Sequence, residues 1–427
     1  MKKLEFKGLD LIYYRETLEN GLEVVMVPME NKKNYFISYA TRFGSETTTF
    51  TPVSEDKEIT VPDGIAHFLE HKMFEQEDGE DPFTFYSKSG TGSNASTSFD
   101  NTRYICYGTK KFGENLRYLL QFVNAPYYTN ENVEKEKGII AEEIKMYDDI
   151  PDFQLEMKLR ENIYHISPRR VDIGGTVEEI QKITKEDLYT CYNNFYSPNN
   201  MFLIIVGNFN HKEASKIICE ELELLENRGT PKIKKIEEDK SVRLKSETIY
   251  SSVEVPKLAF GLKISKEDFK DYDPFILDLY LSMITVILFG AGSEFKEKMR
   301  EFKLLSDMYS EWENTEDFKV YYLMAESNEP EKLLKEIKNE LKNMLLDEKT
   351  FERMKKVWIA NEVRISDDVN GIVHNVYDDM LYYKEVVSDR VGKIRKLKYK
   401  ELLEITKKID FNNTASVIML PKKEKEQ

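Results

Sequence analysis

Two stretches of this chain share one pattern: KEDLYTCYNNFYSPNNMFLIIVG at residues 185–207 and KELLEITKKIDFNNTASVIML at residues 400–420. Each predicts an amphipathic helix, a turn at paired asparagines and a buried strand, the strands lying at residues 201–206 and 415–420. Matching residues lie 213 to 215 positions apart, close to half of the chain. A fixed offset of this kind indicates an internal duplication, although chance similarity of two helix-strand elements would give the same pattern.

Chain length and one charged stretch predict two domains with a linker between them. The 427 residues exceed what one hydrophobic core usually organises. The charged stretch in the middle of the chain contains Gly229 and Pro231 and shows little apolar periodicity, which is typical of a linker. We therefore predict an N-terminal domain at residues 1–228, a linker at 229–246 and a C-terminal domain of the same fold at 247–427.

The expected fold class is α+β, with two duplicated domains that each hold a largely antiparallel sheet covered by helices. Helical patterns at residues 133–147, 330–346 and 349–365 alternate with short β-rich runs, such as LEVVMVP at residues 22–28. The order of the strands in each sheet cannot be read from this pattern.

Composition is that of a compact globular protein, with 41% hydrophobic and 33% charged residues. A formal net charge of −15 argues against nonspecific binding to nucleic acid or to anionic lipid. The first residues lack the apolar core of a signal peptide. The longest apolar run, at residues 279–289, is too short to span a bilayer and predicts a buried helix. We expect a cytoplasmic protein with no membrane and no nucleic-acid partner.

The chain has three cysteines, Cys106, Cys191 and Cys219, and they form no CxxC pair. This usage fits a reducing compartment. We expect all three to be core residues, and we do not expect a thiol metal site.

The segment VPDGIAHFLEHKMF, at residues 61–74, carries His67, Glu70 and His71 on a predicted helix. Histidines at positions i and i+4 project from one helix face, which is the spacing that two imidazoles need to hold one tetrahedral Zn²⁺. Glu70 precedes the second histidine, so its carboxylate can reach a water at that metal. HxxEH is the reversed form of the HExxH motif. The alternative is a pair of ordinary histidines with a glutamate between them by chance.

A catalytic zinc commonly has three protein ligands and one open position, so a third ligand is required. His165, His211 and His374 each stand alone in the sequence, without an acidic neighbour at ligand spacing. We expect these three histidines to be structural.

The acidic helix VEKEKGIIAEEIKMYDD offers two further candidates for the third ligand. Glu136 and Glu143 lie seven residues apart and therefore share one helix face. Ile139, Ile140 and Ile144 are expected to anchor the helix. Composition alone favours an ordinary solvated helix with Glu–Lys pairs.

These segments resemble the pitrilysin/insulinase family of zinc peptidases, which includes the mitochondrial processing peptidases and their bacterial relatives. The resemblance rests on HFLEH, NGLEVVMVP, FGSE and SNASTSFDNTRY, and on the run from EKEKGII through MYDDIPD to NNMFLIIVG. It covers nearly all of the first half, whereas the second half resembles the family mainly in the order of its elements. The resemblance implies a zinc-dependent metalloendopeptidase.

The resemblance also implies a ligand set. The family places a glutamate a little over seventy residues beyond the second histidine, and another glutamate seven residues before that one. Seventy-one residues lie between His71 and Glu143. Glu142 is the near competitor, but the step of seven from Glu136 selects Glu143. Zn²⁺ would then be held by His67, His71 and Glu143.

Roles for five more residues follow from the same resemblance. Glu70 is implied as the group that takes the proton of the attacking water and returns it to the leaving amine. Glu136 is implied to support the site or to assist proton transfer. Asn94, Ala95 and Ser96 are implied on an edge strand, where an extended peptide substrate adds as a further strand. The family encloses its site in a chamber, which limits substrates to peptides or unfolded segments.

One departure from the family concerns its substrate-binding arginine and tyrosine, which active single-chain relatives supply seven residues apart from the second half. Here Arg300 is followed at that spacing by Asp307, and the nearest tyrosine is Tyr309. We therefore expect this chain to be the zinc-bearing subunit of a heterodimer whose related partner supplies the Arg/Tyr pair, or else a homodimer. Two alternatives stay open: a non-catalytic scaffold or partner subunit, and a factor that modifies one dedicated peptide.

Overall fold

The computed structural model describes residues 1–422, which divide into two compact units. The first unit comprises Met1–Lys145, Val171–Lys235 and Glu362–Arg390, and the second comprises Met146–Arg170, Ile236–Asn361 and the chain from Val391. One crossing between the units, at Lys235 and Ile236, falls within the predicted linker. The units are nevertheless not the contiguous domains predicted at 1–228 and 247–427, because each includes a segment from the other half of the sequence.

The strands are β1 Lys2–Phe6, β2 Leu11–Thr17, β3 Glu23–Pro28, β4 Tyr35–Thr41, β5 Thr49–Thr51, β6 Ile59–Thr60, β7 Gly92–Thr97, β8 Thr102–Gly108, β9 Met201–Gly207, β10 Lys232–Ile233, β11 Glu247–Ser251, β12 Lys257–Ser265, β13 Asp307–Asn314, β14 Phe318–Glu326 and β15 Thr414–Pro421. The two strands predicted from the repeated pattern are present as β9 and β15.

The α-helices are α1 Ile65–Met73, α2 Pro82–Ser87, α3 Phe112–Val123, α4 Asn130–Asp148, α5 Pro151–Ile163, α6 Val177–Ile180, α7 Lys185–Phe195, α8 His211–Leu222, α9 Pro274–Phe289, α10 Glu294–Glu301, α11 Pro330–Lys342, α12 Glu348–Ile365, α13 Val369–Asp378, α14 Arg390–Lys396 and α15 Tyr399–Lys408. The three long helices predicted from periodicity are present as α4, α11 and α12, with their ends shifted by a few residues.

The first unit contains a seven-stranded sheet in the order β1-β2-β3-β9-β4-β8-β7 and a small sheet of β10, β5 and β6. Neighbours in the large sheet are antiparallel except β3 and β9, which are parallel. Successive strand residues point to opposite faces, so Leu203 and Ile205 of β9 join one core while Phe202, Ile204 and Val206 join another. Both faces of the large sheet are therefore buried.

The second unit contains a five-stranded sheet in the order β11-β15-β12-β14-β13, in which only the pair of β11 and β15 is parallel. This order repeats that of β3, β9, β4, β8 and β7 in the first unit, including the place of the parallel pair. The shared order supports the predicted duplication. The predicted fold class is confirmed, because each unit is a largely antiparallel sheet covered by helices.

Two helices account for the exchanged segments. Helix α13 comes from the second half of the sequence, but its Val373 packs with Phe202 in a core of the first unit. Helix α5 comes from the first half, but its Leu159 packs with Tyr322 in a core of the second unit. Each helix therefore covers one face of a sheet that its own half of the sequence does not form.

Helix α9 is the most apolar helix of the chain, and it begins a stretch, Pro274–Glu301, that is long and apolar enough to cross a membrane by length and composition. Every residue from Phe275 to Phe289 is buried or partly buried within the protein. Tyr280 and Leu288 belong to the main core of the second unit. This is the buried helix that the sequence predicts.

The cysteine prediction is only partly correct. Cys106 and Cys191 are buried, whereas Cys219 is exposed on α8. The expectation of three core cysteines is therefore wrong for Cys219.

Val373→Ala tests whether α13 belongs to the core of the first unit. We expect the free energy of unfolding to fall by about 2 kcal/mol, because buried methyl groups are lost and a cavity remains. Val363→Ala is the matched control at a site that is 52% exposed, and we expect a change below about 0.5 kcal/mol. Denaturation followed by circular dichroism measures both variants. Equal effects would contradict this placement of α13.

Candidate metal centre

Helix α1 begins at a glycine that the local geometry requires. Gly64 has a φ of 83°, in the left-handed region that favours glycine, and a Cβ there would lie 2.2 Å from the carbonyl oxygen of Gly174. From this start, Ile65, Phe68 and Leu69 face the core of the first unit. The helix face that carries the two histidines of the motif is left to form the site.

The two histidines of α1 converge on one point. Nε2 of His67 lies 3.2 Å from Nε2 of His71. Glu143 of α4 completes the group, with its Oε2 3.4 Å from Nε2 of His71. Within residues 1–422 this is the only group of three or more potential ligands found, and one atom from each residue lies within 4.8 Å of the other two. The structure therefore brings together the three predicted ligands.

Glu142, the competing candidate, has a different environment. Its carboxylate accepts a hydrogen bond from Lys145 Nζ at 2.7 Å, and its side chain is 76% exposed. It is not part of the three-residue group. The choice of Glu143 over Glu142 thus agrees with the geometry.

Glu136 contacts the opposite nitrogen of the His71 ring. His71 Nδ1 donates to Glu136 Oε1 at 3.0 Å, and Glu136 Oε2 lies 3.6 Å from Nζ of the buried Lys72. Burial raises the pKa of Glu136, but the hydrogen bond with His71 and the charge of Lys72 outweigh burial and lower it. Glu136 therefore contacts the His71 ring from the side opposite to Glu143 and is not part of the three-residue group.

Glu70 is held by the edge strand of the sheet. Thr97 Oγ1, at the end of β7, donates to Glu70 Oε2 at 2.6 Å. Burial raises the pKa of Glu70, while the Thr97 hydrogen bond and the nearby His71 act in the opposite direction. A buried carboxylate with a raised pKa is suited to taking a proton and releasing it again.

Asn94, Ala95 and Ser96 lie on β7, which is the last strand of its sheet and pairs with β8 alone. Asn94 and Ser96 are exposed, and Ala95 packs partly against the core. The strand places these three residues at a sheet edge, as the family resemblance implies. Because Thr97 belongs to the same strand, this edge is fixed to the Glu70 carboxylate.

The donor set and its protonation fit Zn²⁺. Two imidazole nitrogens and one carboxylate are a ligand set that catalytic zinc sites use. Burial above all, and also the neighbouring His71, lowers the pKa of His67 to about 4, so that this ring is neutral and able to bind a metal near pH 7. Nδ1 of His67 is buried and has no hydrogen-bond partner among the described residues.

The remaining histidines lie outside this group, as predicted. His211 stacks on Tyr14 with 4.3 Å between ring centroids. The Nδ1 atom of His374 lies 2.7 Å from the carbonyl oxygen of Asn370. His165 has a buried Nε2 without a hydrogen-bond partner among the described residues.

The sequence did not single out Thr97 or Lys72. Thr97 stands within the SNASTSFDNTRY segment, where a threonine in a β-rich run has no chemical signature of its own. Lys72 follows His71 directly and would ordinarily be read as a solvated helix residue. In both cases the functional partner lies far along the chain, so spacing could not identify it.

Comparison with known proteins gives the family. One family model, described as "Insulinase (Peptidase family M16)", matches residues 55–176, and another, described as "Peptidase M16 inactive domain", matches residues 182–357. An uncharacterized zinc protease of Bacillus subtilis, YmfH, is 36% identical over 369 residues, covering 86% of this chain and 85% of YmfH. The chain belongs to peptidase family M16. This M16 chain is also 26% identical to the zinc protease PqqE of Helicobacter pylori, over 95% of this chain and 92% of PqqE.

Solved structures share the fold of this M16 chain. A structure described as an M16-like peptidase of Alicyclobacillus acidocaldarius is 29% identical and superposes with a TM-score of 0.90, covering 98% of this chain and 100% of the other. A protease structure from Helicobacter pylori superposes with a TM-score of 0.81 at 22% identity, covering 96% and 99% of the two chains. The predicted resemblance to the pitrilysin/insulinase family is confirmed. The HxxEH segment and Glu143 both lie within the insulinase match.

Gly64→Ala tests whether the start of α1 requires a glycine against Gly174. Gly79→Ala is the matched control, because Gly79 also has a positive φ of 75° but a Cβ there would meet nothing within 4 Å. We expect Gly79→Ala to cost about 1 kcal/mol of stability through backbone strain alone. Gly64→Ala should cost at least about 2 kcal/mol more through the clash with Gly174. Thermal unfolding measures the difference, and similar losses in both variants would contradict the role of this contact.

Proposed function

We propose that this M16 chain is a zinc-dependent endopeptidase that hydrolyses peptides or unfolded segments. The observation that carries the proposal is the convergence of His67, His71 and Glu143 beside the buried carboxylate of Glu70. Relatives named zinc proteases support the choice of metal and of reaction.

The side chains present suit the hydrolysis of an amide bond. Zinc bound by His67, His71 and Glu143 would supply a Lewis acid for the scissile carbonyl and would lower the pKa of the attacking water. Glu70 takes the proton of that water and later gives it to the leaving amine. Thr97 holds the Glu70 carboxylate in a fixed orientation, and Glu136 holds the His71 ring, so that both groups are positioned before substrate arrives.

The exposed edge of β7 is the proposed place for the substrate. An edge strand presents backbone N–H and C=O groups without a strand partner, and an extended peptide can pair with them. Asn94, Ala95 and Ser96 would then line the peptide. Such pairing depends on the backbone of the peptide rather than on its side chains, so that many substrate sequences would be accepted. It also requires an extended segment, which excludes compactly folded substrates.

A second subunit is proposed because the Arg/Tyr pair is incomplete. Arg300 lies on α10 and Asp307 begins β13, with Tyr309 two residues further on. We propose a heterodimer in which a related chain supplies the pair, and a homodimer is the alternative. The periplasmic protease PqqL of Escherichia coli offers a parallel in fold. The superposition covers 96% of this chain but 47% of the PqqL structure, at 17% identity and a TM-score of 0.72, so that PqqL is about twice as long.

Three glutamate variants distinguish the proposed zinc ligand Glu143, the proposed base Glu70 and the neighbouring Glu142, for which no role is proposed. We expect Glu143→Gln to lose most bound zinc, because the ligand charge is removed. Glu70→Gln should keep zinc and lower kcat on a quenched fluorescent peptide library at least about 100-fold, because the proton acceptor is gone. Glu142→Gln, the neighbouring control, should change neither quantity. Metal analysis and cleavage rates measure these effects.

The peptidase proposal is wrong if the wild-type chain retains zinc but cleaves no peptide, either alone or with any candidate partner subunit. That result would favour the alternative of a non-catalytic scaffold or partner subunit, which the match of residues 182–357 to an M16 domain described as inactive supports.

Mixing with a related subunit tests the two-chain proposal. We expect a partner that carries the Arg/Tyr pair to raise kcat/KM by at least about tenfold, because its donors would stabilise charge in the transition state. The same partner with that arginine replaced by alanine is the control. If the isolated chain cleaves peptides as fast as every mixture, the heterodimer proposal is wrong.

A further inference from the structure

Lys72 is a buried cation to which the proposed mechanism assigns no role. It follows His71 on α1, and 0% of its side chain is exposed. A lysine is almost never fully buried unless a partner balances its charge, because removing an ammonium group from water is unfavourable. Its ion-pair partners among the described residues are Glu75 and Glu136.

The carboxylate of Glu136 lies between Lys72 and His71. Its Oε1 accepts from His71 Nδ1 at 3.0 Å, while its Oε2 lies 3.6 Å from Lys72 Nζ. One side chain of α4 therefore contacts two consecutive residues of α1. The Glu136 side chain is only 12% exposed, so water screens these charges weakly.

The contact with Lys72 affects how well Glu136 can orient the histidine. A carboxylate fixed on Nδ1 keeps a proton on that nitrogen and leaves Nε2 available to the metal. A carboxylate tethered through one oxygen alone could rotate away from the ring. Lys72 restrains the second oxygen, and it also supplies the positive charge that a buried carboxylate requires.

Glu75 offers a simpler explanation for the same lysine. It lies three residues after Lys72 on α1 and forms an ion pair with it, which could by itself account for the position of Nζ. The Glu75 side chain is 40% exposed, however, so that water can solvate it without the lysine. Loss of Lys72 would instead leave the buried carboxylate of Glu136 without the charge of the lysine beside it.

We propose that Lys72 is a positioning residue of the metal centre, which fixes Glu136 on His71 and thereby sets the affinity of the site for Zn²⁺. The inference rests on the proposed function, since it takes His67, His71 and Glu143 as the zinc ligands.

The zinc affinity of the whole chain, measured by competition with a chromophoric chelator, tests this role. Lys72→Met keeps the apolar stem and removes the charge, and we expect about tenfold weaker binding, the lower end of the effects typical of groups that orient a ligand. Glu136→Gln should weaken binding by the same factor or more. The double variant should bind no more weakly than Glu136→Gln alone, because Lys72 acts through Glu136. Glu75→Gln is the matched control and should keep the wild-type affinity.

Lys72→Gln is measured in parallel as a polar replacement, in case the Lys72→Met variant does not fold. Circular dichroism verifies the fold of each variant. Wild-type affinity in a folded Lys72 variant, or factors that multiply in the double variant, would overturn the proposal. These results are separable from the peptidase test. If the zinc affinity depends on Lys72 but the chain cleaves nothing, only the peptidase proposal is refuted. If cleavage requires Glu70 but the zinc affinity does not depend on Lys72, only this inference is refuted.

Discussion

The shared core under α1 and α4 is the constraint on which the site depends. Phe68 of α1 and Ile140 and Ile144 of α4 belong to one core of the first unit, together with the inner face of its large sheet. Once apolar burial fixes both helices, their remaining faces meet, and the two histidines come within reach of the two glutamates. Burial of apolar surface has no directional preference. The exact placement of the ligand atoms must therefore come from polar contacts added to this frame.

Those polar contacts give two nearby glutamates opposite properties. The pKa of Glu70 is raised, chiefly by burial, whereas the pKa of Glu136 is lowered because an imidazole and a lysine outweigh its burial. Environments that push the pKa values of neighbouring carboxyl groups apart are typical of sites in which those groups have different tasks. Here Glu70, the group with the raised pKa, contacts the edge strand through Thr97, whereas Glu136, the group with the lowered pKa, contacts His71 and Lys72.

The sequence predicted the parts of this arrangement that depend on local spacing. HxxEH fixes two histidines on one turn of a helix, and the repeated helix-strand pattern indicated the duplication. The resemblance to a family supplied Glu143. Local spacing also shows one error: Ile139 was expected to anchor α4 with Ile140 and Ile144, but it lies about 100° from Ile140 around the helix and points towards solvent. Ile140 is buried, and Ile139 is 49% exposed.

What the sequence could not supply were contacts between residues far apart in the chain. The hydrogen bond from Thr97 to Glu70 and the ion pair of Lys72 with Glu136 join residues whose separations follow no period. The exchanged helices are a similar case. Helix α13 shows an ordinary apolar face, and nothing local indicates that the sheet it covers belongs to the other half of the sequence.

Thr97 connects the edge strand of the first unit to the buried carboxylate of Glu70. The strand proposed to align a peptide is therefore also the strand that contacts the proposed proton acceptor, so that pairing with β7 would set the register of a substrate against Glu70. Strand β13 occupies the corresponding edge of the second sheet. Residues 247–427 contain one histidine, His374, and no HxxEH. Duplication thus repeated the order of the strands and the edge strand, whereas the proposed zinc ligands His67, His71 and Glu143 and the proposed base Glu70 all belong to the first unit.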